Sequence, residues 1–488
     1  MNIVWITSEA APYAKTGGLA DVSSALPLAL SENGHKVSVI MPYYPQVMKD
    51  LTLKTTVKES LLGVPFGWST EWAQVREHQI NENLCFYFIE YNQYFDRPSL
   101  YDYSGVEFGD NASRFIFFSR AAMQAVLALD LTPDILHTND WPTALCNVYL
   151  KTPLYWNFDN FKNCRSVLTI HNIGYQGTFD KNNLFLTGLG WEYFNHTCLE
   201  YHDRLNFLNA GILTADMVNA VSPTYAKEIL SPEYSFTLDS SLQHVQFRDK
   251  LKGILNGIDV NEWNPETDPY LPAHFSRDDM DGKKACKEAL QREFSLPINP
   301  DVPIFGIVSR LATQKGIDVF GNAIQGLLKE DDIQVIVLGT GDSAVEGVLS
   351  GLNGEYPDKF SVYIGYSNKL AHMIEGGSDF FVMPSRYEPC GLNQMYSMRY
   401  GTVPVVRGTG GLEDTVINYS QDNINNATGF KFHDLTDEAL YYTLKWAEDI
   451  YKNEPENFER IVYNGMSIDF SWKRTADEYV QMYKDAFK

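Results

Sequence analysis

Short β-branched apolar runs alternate with segments of helical periodicity along nearly the whole of this 488-residue chain. In the first half the runs are "NIVWI", "KVSVIMPYY", "LCFYFIEY", "DILHTND", "SVLTIHNIGY" and "DMVNAVSP". In the second half they are "PIFGIVSR", "IQVIVLGTG", "FSVYIGY", "DFFVMPSR" and "TVPVVRGTGG". Alternation of this kind builds βαβ units, with parallel strands buried on both faces and covered by helices. The chain is too long for one core, so two doubly wound domains are expected. The segment "GILNGIDVNEWNPETDPYLPAHFSRDD", rich in Pro, Asp and Asn, interrupts the pattern near the middle and reads as the crossover between them. The expected boundaries are 1–250 and 251–470, with 471–488 as a final helix. That helix has Ser471 as N-cap and an apolar stripe of Trp472, Ala476, Tyr479, Val480 and Tyr483, which must dock on a core.

Charge narrows the partners. The net charge of −23 at neutral pH repels nucleic acid and anionic membranes, while an anionic small substrate needs only a few cations gathered in one place. Six scattered cysteines with no C-x-x-C pair point to a reduced, intracellular protein. With a first strand starting at residue 2, no targeting segment is expected, and no apolar run approaches a membrane span. A cytoplasmic setting is expected.

Several strands end in residues that bear chemistry, on the edge where open α/β sheets bind ligands. "YAKTGGLADV" places Lys15, Gly17 and Gly18 on the turn between the first strand and its helix, which stops at Asn33-Gly34. His137, Asp140 and His171 stand at the ends of two further strands. For Asp140 alone, a turn or helix-capping role is the simpler reading; His171 stands evenly between structure and chemistry. "VSRLATQKG" carries Arg310 and Lys315, two cations suited to a diphosphate whose charge must be neutralised as its bond breaks. Gly408 to Gly411 open another helix, whose amides form an anion site. Neither glycine turn fits G-x-x-x-x-G-K-[ST] or G-x-G-x-x-G, which disfavours a P-loop ATPase or a dinucleotide oxidoreductase. In "MPSRYEPCGLNQMY", Glu388 can hold sugar hydroxyls or balance a helix dipole, and Cys390 reads as a small packed residue.

Eight motifs, "KTGGLADV", "HTNDWPTAL", "HNIGYQG", "NGIDVNEWNP", "SRLATQKGID", "PSRYEPCGLNQMYSMRYGTVPVV", "GTGGLEDTV" and "FSWKRTADEYVQMY", resemble those of the bacterial glycogen synthase and plant starch synthase family, in family order. The resemblance implies two Rossmann-like domains facing a central cleft, the GT-B glycosyltransferase architecture, with the C-terminal helix returning to the first domain. It implies transfer of glucose from ADP-glucose to the 4-hydroxyl at the non-reducing end of an α-1,4-glucan, with retention, no cofactor and no metal. The first domain would face the acceptor glucan and the second the nucleotide sugar. By the same resemblance, Glu388, His171, Asp140, Arg310 and Lys315 form the catalytic set. Lys15, Gly18, Asp21, Asn256, Gln314, Tyr366, Cys390, Gly391, Leu392, Thr409, Gly410 and Gly411 would surround ADP-glucose, with Tyr366 stacked on adenine. Tyr94 and Phe95 would lie on the acceptor side, Phe95 standing where some members have tyrosine. Many relatives with this fold carry a second glutamate eight positions after the first; here that residue is Tyr396, as is usual in glycogen and starch synthases. Two other readings share the fold: a retaining transferase using UDP-glucose or a small acceptor, and a non-catalytic glucan-binding scaffold.

Overall fold

The computed structural model describes residues 1–49, 51–103 and 105–488. The chain divides into two compact units, Met1–Asn256 with Trp472–Lys488, and Gly257–Ser471. The first unit is built on a nine-stranded sheet whose strands we number in chain order. They are β1 (Asn2–Ile6), β2 (Lys36–Pro42), β3 (Thr56–Phe66), β4 (Ser69–Asn81), β5 (Leu84–Glu90), β6 (Ile135–Asn139), β7 (Arg165–Ile170), β8 (Met217–Ala220) and β9 (Leu251–Gly253). Their order across the sheet is β9-β8-β7-β6-β1-β2-β5-β4-β3. The pairings from β9 through β2 to β5 are parallel. Because β9 pairs with β8, Val218 opposite Leu251, the first unit continues beyond residue 250 to Asn256.

The hairpin β3–β4 is a feature the sequence reading did not mark. It pairs antiparallel with itself and with β5. Its sequence, "TVKESLLGVPFGWSTEWAQVREHQIN", interleaves apolar and polar residues because one face is solvated: Leu62, Val64 and Phe66 are buried while Leu61 and Trp72 are exposed. A search for continuous apolar runs, the mark of interior parallel strands, passes over such a ribbon.

The second unit holds an all-parallel six-stranded sheet, β10 (Ile304–Val308), β11 (Gln334–Gly339), β12 (Phe360–Ile364), β13 (Phe380–Met383), β14 (Val403–Arg407) and β15 (Phe430–Phe432). Its order is β12-β11-β10-β13-β14-β15, which winds outward from β10 in one direction and then, from β13, in the other. This is the doubly wound arrangement, with its switch point between β10 and β13. Phe305, Val335, Val337, Phe380 and Val405 fill its core with helix residues such as Phe320, Ile324 and Leu444.

The C-terminal helix Trp472–Asp485 belongs to the first unit, where it packs on the helix Gly18–Glu32. Its stripe is apolar but not wholly so. The buried Tyr483 hydroxyl lies 2.7 Å from His137 Nδ1, and Asn219 Nδ2 donates to the Tyr479 hydroxyl at 2.9 Å. Tyrosine suits such a site because its body is apolar and its tip needs a partner. His137 is thereby a core residue: it also meets Thr169 Oγ1 at 2.8 Å and packs on Trp5. Among the described residues, no helix is long and apolar enough to cross a membrane.

Candidate functional site

In the second unit, the two strands flanking the switch point end at Val308 and Met383, and their loops run to Gly316 and Leu392. Lys315 on the first loop and Glu388 on the second form an ion pair at 2.6 Å, and Ser385 Oγ donates to the same Glu388 oxygen at 2.9 Å. Glu388 is buried while Lys315 keeps 20% of its side chain exposed. Glu388 lies five residues ahead of the helix Asn393–Arg399, so a cation rather than the dipole answers its charge. The loops are also tied backbone to backbone: the Arg386 amide donates to the Gln314 carbonyl at 2.8 Å, and Gln314 Nε2 donates to the Tyr387 carbonyl at 3.3 Å. Arg386 itself clamps Asp318 through both guanidinium nitrogens, each at 2.7 Å.

The loop after β14 completes this half. Thr409 is the N-cap of the helix Gly410–Thr415. A Cβ on Gly410, which sits at φ +47°, would fall 1.9 Å from the Glu388 carbonyl oxygen, and one on Gly411 would fall 2.0 Å from that of Cys390. Only glycine admits such close approach of two backbones. The Gly411 amide donates to the Glu388 carbonyl at 3.1 Å, so it holds the glutamate loop in place. Cys390 is buried, Gly391 takes φ +71°, and Leu392 caps the next helix. Arg310 is exposed and forms no ion pair among the described residues. Tyr366 follows β12 and is 74% exposed, able to present a ring face to a planar ligand.

In the first unit the switch point falls between β1 and β6. Lys15 pairs with Asp21 in the first turn of the helix Gly18–Glu32 at 2.6 Å, with half the lysine exposed. The turn is anchored by Glu9, which the sequence reading passed over. This buried carboxylate accepts from the Thr16 amide at 2.6 Å, the Thr16 hydroxyl at 2.9 Å and the Tyr101 hydroxyl at 2.8 Å. An acid placed three residues past a buried strand, in "ITSEAAP", is the available signal. Beyond β6, Asp140 adopts φ +53° and accepts from the His171 amide at 2.7 Å and the Asn172 amide at 3.4 Å, stapling the ends of β6 and β7 together. His171 Nε2 lies 2.9 Å from Asn139 Oδ1. Asn256, the last residue of the unit's main segment, is buried, and its Oδ1 has no hydrogen-bond partner among the described residues. Tyr94 and Phe95 are buried too; Phe95 is fully enclosed, edge-on to Tyr44 and Phe118. Its ring belongs to the core, so it offers no surface to an acceptor.

Burial sets the protonation of this half-site. It pushes Asp140 up to about 7, opposed by the two amides, and pulls His171 down to about 3. His171 is therefore neutral at pH 7 when folded, and the unfolded chain takes up its proton first as pH falls through about 6.5. The contribution of His171, present at neutral pH, is lost on acidification toward pH 3, about 2 kcal/mol of it between pH 7 and 5. Asp140, raised to about 7, acts with the opposite sign as it takes up its proton in the folded state. Denaturant titrations should show His171→Asn losing correspondingly less than the native chain over that interval; an equal loss would remove the assignment.

Residues 2–244 match the family model described as the starch synthase catalytic domain, and residues 290–464 that of glycosyl transferases group 1. The glycogen synthase of Anaeromyxobacter dehalogenans is 44% identical, with 99% of each chain covered, and glycogen synthase 1 of Geobacter sulfurreducens is 42% identical, covering 100% of this chain and 97% of its own. This chain belongs to the glycogen and starch synthase family. As a member of it, the protein is a glucosyltransferase of the two-domain GT-B fold. The catalytic domain of starch synthase IV from Arabidopsis thaliana, solved with ADP and acarbose, superposes with a TM-score of 0.89 at 33% identity over 99% of both chains. Sucrose-phosphate synthase from Thermosynechococcus elongatus, at 17% identity and a TM-score of 0.60, shares the fold. Against this glycogen synthase background, the motif residues of the second unit other than Tyr366, which follows the edge strand β12, cluster on the three adjoining loops after β10, β13 and β14, and Ser385 and Arg386 join them as supports.

Proposed function

We propose that this glycogen synthase family member transfers glucose from ADP-glucose to the 4-hydroxyl at the non-reducing end of an α-1,4-glucan, such as glycogen or a malto-oligosaccharide, with retention. The observation that carries the reading is the Lys315–Glu388 pair at the switch point of the second unit. It sets a cation for a leaving diphosphate beside a carboxylate able to accept hydrogen bonds from sugar hydroxyls. Arg310, exposed on the same loop as Lys315, supplies a second cation, and Tyr366 a stacking face for adenine. The second unit holds the nucleotide sugar on Gln314, Cys390, Gly391, Leu392, Thr409, Gly410 and Gly411. The first unit takes the acceptor, with Lys15, Gly18, Asp21, Asn256, Asp140 and neutral His171 as its candidate sugar-binding residues. Six buried cysteines, none of them in a disulfide among the described residues, suit a reducing cytoplasm.

The deciding experiment follows nucleotide release from ADP-glucose and from UDP-glucose, each with and without glycogen. Release from ADP-glucose that depends on glycogen supports the reading. Preference for UDP-glucose would assign a different donor, and no release from either would leave a glucan-binding scaffold. Because side-chain cations meet the diphosphate charge in this reading, turnover should be unchanged in excess EDTA; a requirement for added Mg²⁺ or Mn²⁺ would contradict it.

A further inference from the structure

Tyr396, standing where many relatives with this fold carry a second glutamate, has a structural partner. Its ring lies flat against Trp263, centroids 3.9 Å apart and planes 10° apart. The opposite face of Trp263 lies equally flat against His372, at 3.9 Å and 8°. The three rings form one buried stack. Trp263 lies seven residues past the point where the chain enters the second unit, whereas Tyr396 is on the helix Asn393–Arg399 and His372 on the helix Asn368–Gly377.

The entering segment is bound to these helices at several further points. Arg399 Nε donates to the Trp263 carbonyl at 2.6 Å, and Arg399 Nη2 to that of Val260 at 3.2 Å. Asp268 accepts from the Tyr400 hydroxyl at 2.6 Å and lies 2.7 Å from His372 Nδ1. The helix Asn393–Arg399 has only two turns and begins at the glutamate loop. Its Tyr396 amide donates to the Leu392 carbonyl at 3.0 Å, while Gln394 Nε2 reaches back to the carbonyls of Cys390 and Gly391 at 3.1 and 3.0 Å. So short a helix is fixed by what packs on it rather than by its own propensity. One end of it carries the Glu388–Leu392 loop, and its flank carries the stack.

We infer that Trp263 is a positioning residue for the donor site: by stacking on Tyr396 it sets the orientation of the short helix and, through it, of the loop from Glu388 to Leu392. A glutamate at 396 could not make that contact, and a tyrosine there makes the donor loop depend on the segment that enters the unit. The inference rests on the reading of that loop as the donor site.

The test uses the full chain and ADP as probe. Trp263→Leu should weaken ADP binding in calorimetry about tenfold, the upper end of what one aromatic contact contributes, at unchanged stoichiometry. The KM for ADP-glucose should rise in step while that for glycogen stays within about twofold. Trp263→Phe, which keeps a stacking ring, should restore most of the affinity. Where Trp263→Leu fails to fold, Tyr396→Leu opens the stack from its other side and should give the same result. Hydrogen exchange of the ligand-free chain should show faster exchange at 388–392 in the leucine variants and not in Trp263→Phe. Native ADP affinity in a folded leucine variant, or a phenylalanine variant as weak as leucine, would overturn the inference. A native chain that binds no ADP would overturn the donor reading instead, and the exchange measurement would then decide whether Trp263 sets this loop.

Discussion

Lys315→Ala is expected to lose on the order of 10²–10³ in kcat, the usual cost of removing one preorganised group that meets developing charge. Arg310→Ala should lose a similar amount, for both cations serve the departing diphosphate in the proposed reaction. Their effects on stability should differ. Lys315 is the ion-pair partner of a buried carboxylate, and its removal leaves Glu388 with the Ser385 hydroxyl. A broken buried pair is costly, but Lys315 is partly solvated, so the expected loss is on the order of 1–2 kcal/mol. Arg310 is exposed with no ion pair among the described residues, and its removal should leave the melt within about 0.5 kcal/mol of native. Steady-state kinetics beside thermal melts separates the two. Near-native turnover in either variant, with an intact melt, would remove that residue from the reaction.

The second large effect comes from a residue with no side chain. Gly411→Ala would place a methyl group 2.0 Å from the Cys390 carbonyl oxygen, where ordinary contact begins beyond 3 Å. The obstacle is backbone, which cannot turn aside as a flexible side chain can, so the glutamate loop must retreat by about 1 Å. Displacement of that size typically costs about 10²-fold in rate, and the overpacking about 1–3 kcal/mol in stability. The matched control is Gly347→Ala, on the exposed side of the helix Ser343–Glu355, where an added Cβ meets nothing within 4 Å. That change should leave kcat alone and raise stability by about 0.5–1 kcal/mol. Equal kinetics for the two alanine variants would show that the Gly411 contact does not set the loop.

Much of this protein is legible in its sequence because parallel α/β architecture writes itself in short-range pattern. Interior strands such as "KVSVIMP" and "QVIVLG" must be apolar on both faces, and their helices must repeat near 3.6 residues, so element order and domain number are set by local chemistry. The turn residues Lys15, Glu388 and Gly410 stand out for the same reason, since each lies just past a recognisable strand. The hairpin β3–β4 did not, because its pattern is that of a half-solvated ribbon. Strand order and contacts between distant residues are a different matter. Nothing within "SRLATQKG" or "SRYEPCG" states that β10 and β13 are neighbours; that follows from how the sheet winds, and it alone brings Lys315 within 2.6 Å of a carboxylate 73 residues away. The same holds for Phe95, whose motif suggests a surface while the packing of Tyr44 and Phe118 encloses it, and for Trp263, which reads as one residue of an irregular crossover until two helices close on its faces. Local sequence determines which segments can be strand, helix or turn through steric and hydrophobic preferences a few residues wide. Which charges meet, and which rings are buried, is decided by the packing of segments far apart in the chain.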